Sequence, residues 1–291
     1  MGTFVTVFVS GVALGSIYAL VALGFIVTYK ATGIINFAQG ALVTLGGFLG
    51  FWLTQQAGLP WWAGYPIVLV LMFLVGIVIQ LVVHAPLRGR SELVVVIATL
   101  GVGLVVQAVL LEIYGTETRN LPALLPGTVV HFLGANLAAY DLIVIGVSIV
   151  AVALLMVMFN VTQLGRQFRA ASLDPEVAQL QGIPVKLISM FAFGLGGLLA
   201  GVAGLMLAPT SSLDTSIGFT AMISAFAAAV IGGFGRFTGV IIGALALGLV
   251  EQLGAQYIAY QYQAVYPFAL MILVVAVAPR GILGGQSRVR V

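Results

Sequence analysis

The chain has 291 residues, of which 62% are hydrophobic and only 7% charged, with a mean hydropathy of +1.20. A soluble domain carries roughly 25% charge, so these figures exclude one and leave an integral membrane protein. The net charge of +3 argues topology rather than nucleic-acid binding, and the absence of cysteine removes disulfides and thiolate metal sites.

Apolar runs fall at 4–29, 34–53, 62–84, 93–113, 141–160, 186–208, 218–232, 239–259 and 265–279. A spanning helix needs about 20 residues. The expected fold is therefore an all-α polytopic transmembrane bundle of eight or nine segments, the short ones being half-helices or re-entrant pieces. The whole of 1–291 reads as a single transmembrane domain. The first run, starting at Thr3 without a basic flank, reads as a retained span rather than a cleaved signal peptide.

Basic residues recur in alternate connections: Lys30, Arg88 and Arg90, then Arg166, Arg169 and Lys186, Arg236, and Arg280, Arg288 and Arg290. The positive-inside rule makes these connections cytoplasmic. Nine spans then put the N-terminus outside and the C-terminus inside, and eight put both inside. The opposite connections hold Arg119 against Glu117, Asp141 and Asp214. The longest of them, 114–140, is expected to form a hairpin, Val129–Leu133 with Leu137–Tyr140, around Gly134-Ala135-Asn136.

Small residues recur at four-residue spacing: Gly11 and Gly15, Gly197 and Gly201, and Gly235, Gly239 and Gly243. This spacing lets helix backbones approach closely. Polar residues inside the runs are few, and they belong in the bundle interior or beside a pathway. The translocation-path candidates are Asn36, Gln39, Thr99, Gln107, Glu251, Gln252 and Gln256, of which Gln252 and Gln256 share a helical face with Tyr260. Interhelical hydrogen bonding is the competing role for each.

The most polar helix-capable stretch is 164–187, LGRQFRAASLDPEVAQLQGIPVKL. Asp174, Pro175 and Glu176 read as N-cap, N1 and N2 of a short helix. Gly182 stops it, with Pro184 just beyond. Enzyme chemistry finds no support: there is no HExxH, no paired-histidine spacing, no nucleophile elbow and no Walker A sequence, so no cofactor is expected.

Three blocks carry a resemblance: GSIYALVALGFIVTYKATGIINFAQG (15–40), LGRQFRAASLDPEVAQLQGIP (164–184), and AFAAAVIGGFGRFTGVIIGALALGLVE (225–251) with FALMILVVAVAPRGILG (268–284). Together they resemble the shorter permease subunit of the branched-chain (hydrophobic) amino-acid ABC importers. Arg236-Phe237 departs from the small residues common after GGFG and puts the shape of that break in doubt. The resemblance implies a multi-pass protein of a bacterial or archaeal cytoplasmic membrane. Its implied partners are a second homologous permease, two ATPases and a periplasmic or extracellular binding protein, with ATP hydrolysis on the separate ATPases. Branched-chain amino acids lead as cargo, with urea, amides and aromatic or other carboxylic acids as alternatives. An ion-coupled carrier using Glu251 is the competing class.

In this family a cytoplasmic coupling helix of the form E-A-A-x-x-x-G docks on the ATPase. Glu176-Val177-Ala178-x-x-x-Gly182 resembles it, with Val in place of the first Ala. The implied ATPase contacts are Ala171, Asp174, Glu176, Ala178, Gly182 and Ile183. Arg166 and Arg169 are expected to anchor the loop at the lipid headgroups.

Overall fold

The computed structural model describes residues 2–132, 134–278 and 281–282. Eleven α-helices dominate it: α1 (Gly2–Thr32), α2 (Gln39–Phe51), α3 (Trp61–Ile79), α4 (Glu92–Tyr114), α5 (Ala139–Val161), α6 (Gln163–Leu173), α7 (Pro175–Leu180), α8 (Val185–Leu207), α9 (Ile217–Gly232), α10 (Phe237–Tyr257) and α11 (Tyr266–Val277). Short π-helical turns extend α2 (Trp52–Gln56) and α3 (Gln80–His84), and a 3-10 helix (Tyr260–Val265) leads into α11. Among the described residues, seven helical segments are long and apolar enough to cross a membrane, fewer than the eight or nine expected. Two of the nine apolar runs account for the difference: 218–232 lies in the 16-residue α9, and 34–53 lies partly outside helix.

The second case has a local cause. The chain leaves α1 at Thr32, turns at Gly33 (φ +76°), and re-enters helix only at Gln39. Asn36 Oδ1 accepts from the Ala38 amide at 3.1 Å, and Thr99 Oγ1 accepts from the Phe37 amide at 3.2 Å. These bonds satisfy backbone groups that a continuous helix would have satisfied itself, so the break is tolerated inside an apolar bundle.

The chain forms two compact units, each built from separated segments. One comprises residues up to Leu23, 125–148 and 222 onward; the other comprises 24–124 and 149–221.

In the first unit, α1 crosses α10 through glycine. A Cβ on Gly248 would lie 2.3 Å from the Gly15 nitrogen, and one on Gly11 3.1 Å from the Leu249 Cα. Gly243 meets the end of α9 equally closely, 2.4 Å from the Ala228 carbonyl oxygen. Gly235, by contrast, faces open space. The hairpin pairs Val129↔Ala138, Val130↔Leu137, His131↔Asn136 and Phe132↔Ala135. Its second strand thus begins at Ala135, not Leu137. Gly134 has φ +74°, while Leu133, the expected end of the first strand, lies outside the described residues. The register buries Ala135 and Leu137 on one face. Ser10 Oγ donates to Asp141 Oδ2 at 2.6 Å, tying the start of α5 to α1. The C-terminal arginines Arg280, Arg288 and Arg290 also lie outside the described residues.

In the second unit α8 is the central helix, buried along most of its length between α2 and α3. Glycine again sets the distance. A Cβ on Gly204 would lie 2.2 Å from the Val43 carbonyl oxygen of α2, and one on Gly197 2.2 Å from that of Met72 in α3. At the Leu207 end of α8, Phe48, Leu110, Leu121, Ala208 and Leu213 form an apolar cluster with Tyr114 stacked on Phe48. There the Arg119 and Leu213 backbones bridge at 2.9 and 2.8 Å, and Arg119 pairs with Glu117 at 3.6 Å. The Val185 end of α8 carries α6 and α7 and gathers the basic residues Lys30, Arg88 and Lys186.

Candidate functional site: a capped helix between α6 and α8

Two short helices lie between α5 and α8. The sequence reading anticipated only α7, and α6 is a further element. Thr162 caps α6: its Oγ1 accepts from the Gly165 amide at 3.2 Å and donates to the Met158 carbonyl at 2.6 Å. Gly165 permits the sharp return from α5, because a Cβ there would lie 2.2 Å from the Phe159 carbonyl oxygen. Phe168, buried one turn on, packs edge-to-face against Phe159 at 4.7 Å. Arg169 donates from Nη1 to the Phe159 carbonyl at 2.8 Å. Its charge thereby satisfies a carbonyl at the C-terminus of α5, the negative end of that helix.

α7 is bounded as the sequence indicates. Asp174 Oδ1 accepts from the Glu176 and Val177 amides, each at 3.0 Å, with Pro175 at N1. At the other end, the Gly182 amide donates to the Gln179 carbonyl and the Ile183 amide to the Ala178 carbonyl, both at 3.0 Å. With Gly182 at φ +80° this is a Schellman stop. Both ends are satisfied by local chemistry, so six residues hold as a helix where an isolated peptide of that length would not.

The six residues given as ATPase contacts divide into two sets. Ala171 (1% exposed) and Ala178 (2%) are buried within the chain, which accounts for their small size. Asp174, Glu176 and Gly182 are exposed, and Ile183 is half-buried. Residues the sequence reading missed supply the outer surface: Leu173 is 87% exposed, Leu180 88%, and Val177 is exposed between them. The signal was present as apolar side chains in a polar stretch, which no hydropathy window of membrane length registers.

The path candidates are distributed over both units. Asn36, Gln39 and Thr99 are buried in the second unit, where the Oε1 of Gln39 has no hydrogen-bond partner among the described residues. Asn36 and Thr99 hold the α1–α2 break, and Gln39 donates from Nε2 to the Gly196 carbonyl at 3.0 Å. Gly24 leaves the space Gln39 fills, since a Cβ there would meet its Nε2. Gln107 is half-buried on α4. Glu251 is buried in the first unit, where it accepts from Tyr18 Oη at 3.0 Å and Gln263 Nε2 at 3.1 Å. Gln252 is half-buried and Gln256 exposed, so the expected shared inner face is not formed. Tyr260 leaves it altogether, because α10 ends at Tyr257 and Tyr260 opens the 3-10 helix.

Comparison with known proteins agrees with this architecture. The family described as "Branched-chain amino acid transport system / permease component" matches residues 7–275. The chain is 33% identical over 288 residues to the high-affinity branched-chain amino acid transport system permease protein LivH of Escherichia coli (strain K12), covering 94% of each chain. It is 25% identical over 298 residues to LivM of the same strain, covering 92% of this chain and 68% of LivM. PsaBC from Streptococcus pneumoniae, solved in complex with a Fab, shares the fold at a TM-score of 0.51 with 13% identity, covering 94% of this chain and 91% of that one. The chain belongs to the branched-chain amino acid transport system permease family.

Proposed function

We propose that this chain is one half of the membrane pathway of an ATP-driven importer of branched-chain amino acids in a bacterial or archaeal cytoplasmic membrane. It works there as a single permease domain, beside a second, homologous permease. Two ATPase subunits supply the energy, and a soluble binding protein outside the cell delivers the cargo. The observation that carries the reading is α7: a rigid helix, closed at both ends, with Leu173, Val177 and Leu180 exposed beside Glu176. It stands at the end of its unit where Lys30, Arg88 and Lys186 gather, the cytoplasmic end by the positive-inside rule.

Exposed leucines beside one acid fit an apolar groove with a basic rim on a partner. ATPase closure then acts on α7 as a rigid-body push. The α6–α8 contacts would carry that push into α8, the helix on which α2 and α3 pack through glycine. The similarity of the chain to both LivH and LivM supports a pair of related permeases.

Purification of the tagged chain from its native membrane, with partners identified by mass, tests the reading. Recovery of a second permease and two ATPases, with ATP-dependent leucine uptake in liposomes, is the expected result. Leu180→Asp should release the ATPases while leaving the chain inserted. A lone homo-oligomer that transports without ATP would overturn the proposal.

A further inference from the structure

At the Val185 end of α8 a cavity of about 580 Å³ opens between the ends of α1, α3 and α8 and the bend into α7. Three cationic residues line it, Lys30, Arg88 and Lys186, each from a different segment, and no carboxylate is among its lining residues. Two deeply buried polar residues are also in the wall, Gln80 (5% exposed) and His84 (7%). Both ring nitrogens of His84 and the Oε1 of Gln80 are buried without a hydrogen-bond partner among the described residues.

An imidazole carries at least one N–H in every protonation state. Buried donors are ordinarily paired, so an unpaired one beside a cavity points to a group that would pair it. Cations converging on a concave wall raise the local potential and concentrate anions. The volume lies within the range of small-molecule sites. A phosphate fits this arrangement better than a carboxylate. It offers three or more oxygens to donors that arrive from three directions, and its charge-assisted bonds to guanidinium and ammonium are the strong ones.

We infer that this cavity is a phosphate-binding site, separate from the surface of α7 and from the transported amino acid. The chemistry has two natural sources. The span ending at His84 and the helix beginning at Val185 both meet the cavity, which places it at headgroup depth, within reach of an anionic phospholipid. Free phosphate or a small phosphate ester from the aqueous side would make the same contacts.

The purified permease, reconstituted in phosphatidylcholine nanodiscs containing phosphatidylglycerol, provides the test. Native mass spectrometry reads the retained lipid, and inorganic phosphate is titrated as competitor. The wild type should retain phosphatidylglycerol over phosphatidylcholine by about tenfold or more. The double variant Arg88→Gln/Lys186→Gln should lose about tenfold of that preference. Both side chains are exposed, so the variant folds. His84→Gln, measured alongside it, should weaken binding in the same direction. Displacement by inorganic phosphate identifies a soluble anion as the occupant, and resistance to it identifies the lipid headgroup; both uphold the site. Binding unchanged in the double variant, no binding of either probe, or displacement by leucine would overturn it. Leu180→Asp, which removes ATPase docking in the reading above, should bind phosphate as the wild type does, so the two proposals fail separately.

Discussion

Removing the two caps of α7 separates its shape from its surface. In Asp174→Ala the acceptor shared by the Glu176 and Val177 amides is lost, at a cost of about 1 kcal/mol. In Gly182→Ala a Cβ is forced into φ +80°, at a cost of about 1–2 kcal/mol. The sites lie at opposite ends of one helix and share no partner, so the double variant should lose about 2–3 kcal/mol of local stability. Neither change touches Leu173, Val177 or Leu180. If the docked form requires an intact α7, apparent ATPase affinity falls with the fraction of helix that remains. The effect is bounded by the local loss, roughly 5–30-fold for the one or two kcal/mol of a single variant and roughly 30–150-fold for the double.

Two assays together settle the matter. Hydrogen exchange at 176–183 reports fraying, and titration of the reconstituted permease with its ATPase reports affinity. Protection should fall in each single variant and fall furthest in the double, with affinity following in the same order. The thermal midpoint of the membrane domain should hardly move, because of the α7 residues only Ala178 is buried. A double variant that frays while keeping wild-type ATPase affinity would refute α7 as a preformed docking element.

Three further outcomes are expected. Gly204→Ala places a Cβ 2.2 Å from the Val43 carbonyl oxygen and should cost about 1–3 kcal/mol or more, read as a lower melting midpoint in detergent, whereas Gly235→Ala, with open space around it, should cost nothing measurable. Glu251→Gln replaces one acceptor facing Tyr18 or Gln263 by a donor and should destabilise by about 1–3 kcal/mol; ATP-dependent uptake per inserted molecule should survive, and its loss in fully inserted protein would return Glu251 to the transport path. Gly165→Ala brings a Cβ against the Phe159 and Met158 carbonyls and should loosen α6 from the end of α5, read as faster hydrogen exchange over 163–173.

Local chemistry was legible in the sequence wherever one residue type does one job. Asp-Pro-Glu with Gly-Ile-Pro six positions on fixes both ends of α7, since the caps are made by neighbours in the chain. The glycine spacing found real crossings at Gly11, Gly15, Gly197, Gly201 and Gly243, but spacing alone could not separate these from Gly235, which meets nothing. α6 was missed because its cues depend on tertiary structure. Thr162 and Gly165 acquire meaning only once α5 ends beside them, and Phe168 only once Phe159 faces it. The 34–53 run was overcounted because hydropathy sees apolar residues and not the two side chains, Asn36 and Thr99, that hold an unwound backbone among them.

The same distinction explains why polar residues in the spans were weak guides to a path. In an apolar medium an isolated polar group is costly, so the few present attach first to whatever backbone the fold has left unpaired. Gln39 takes the Gly196 carbonyl, Thr99 the Phe37 amide, and Glu251 the Tyr18 hydroxyl. The bonded atoms cannot also bind cargo without giving up those bonds, whereas the Gln39 Oε1 is buried without a partner among the described residues. An apolar amino acid needs polar partners only for its two charged ends, so its route through such a permease is better sought along apolar walls and backbone groups than along buried amides. The unpaired polar atoms of Gln80 and His84 differ in their setting, because they belong to residues that line a cavity with three cations.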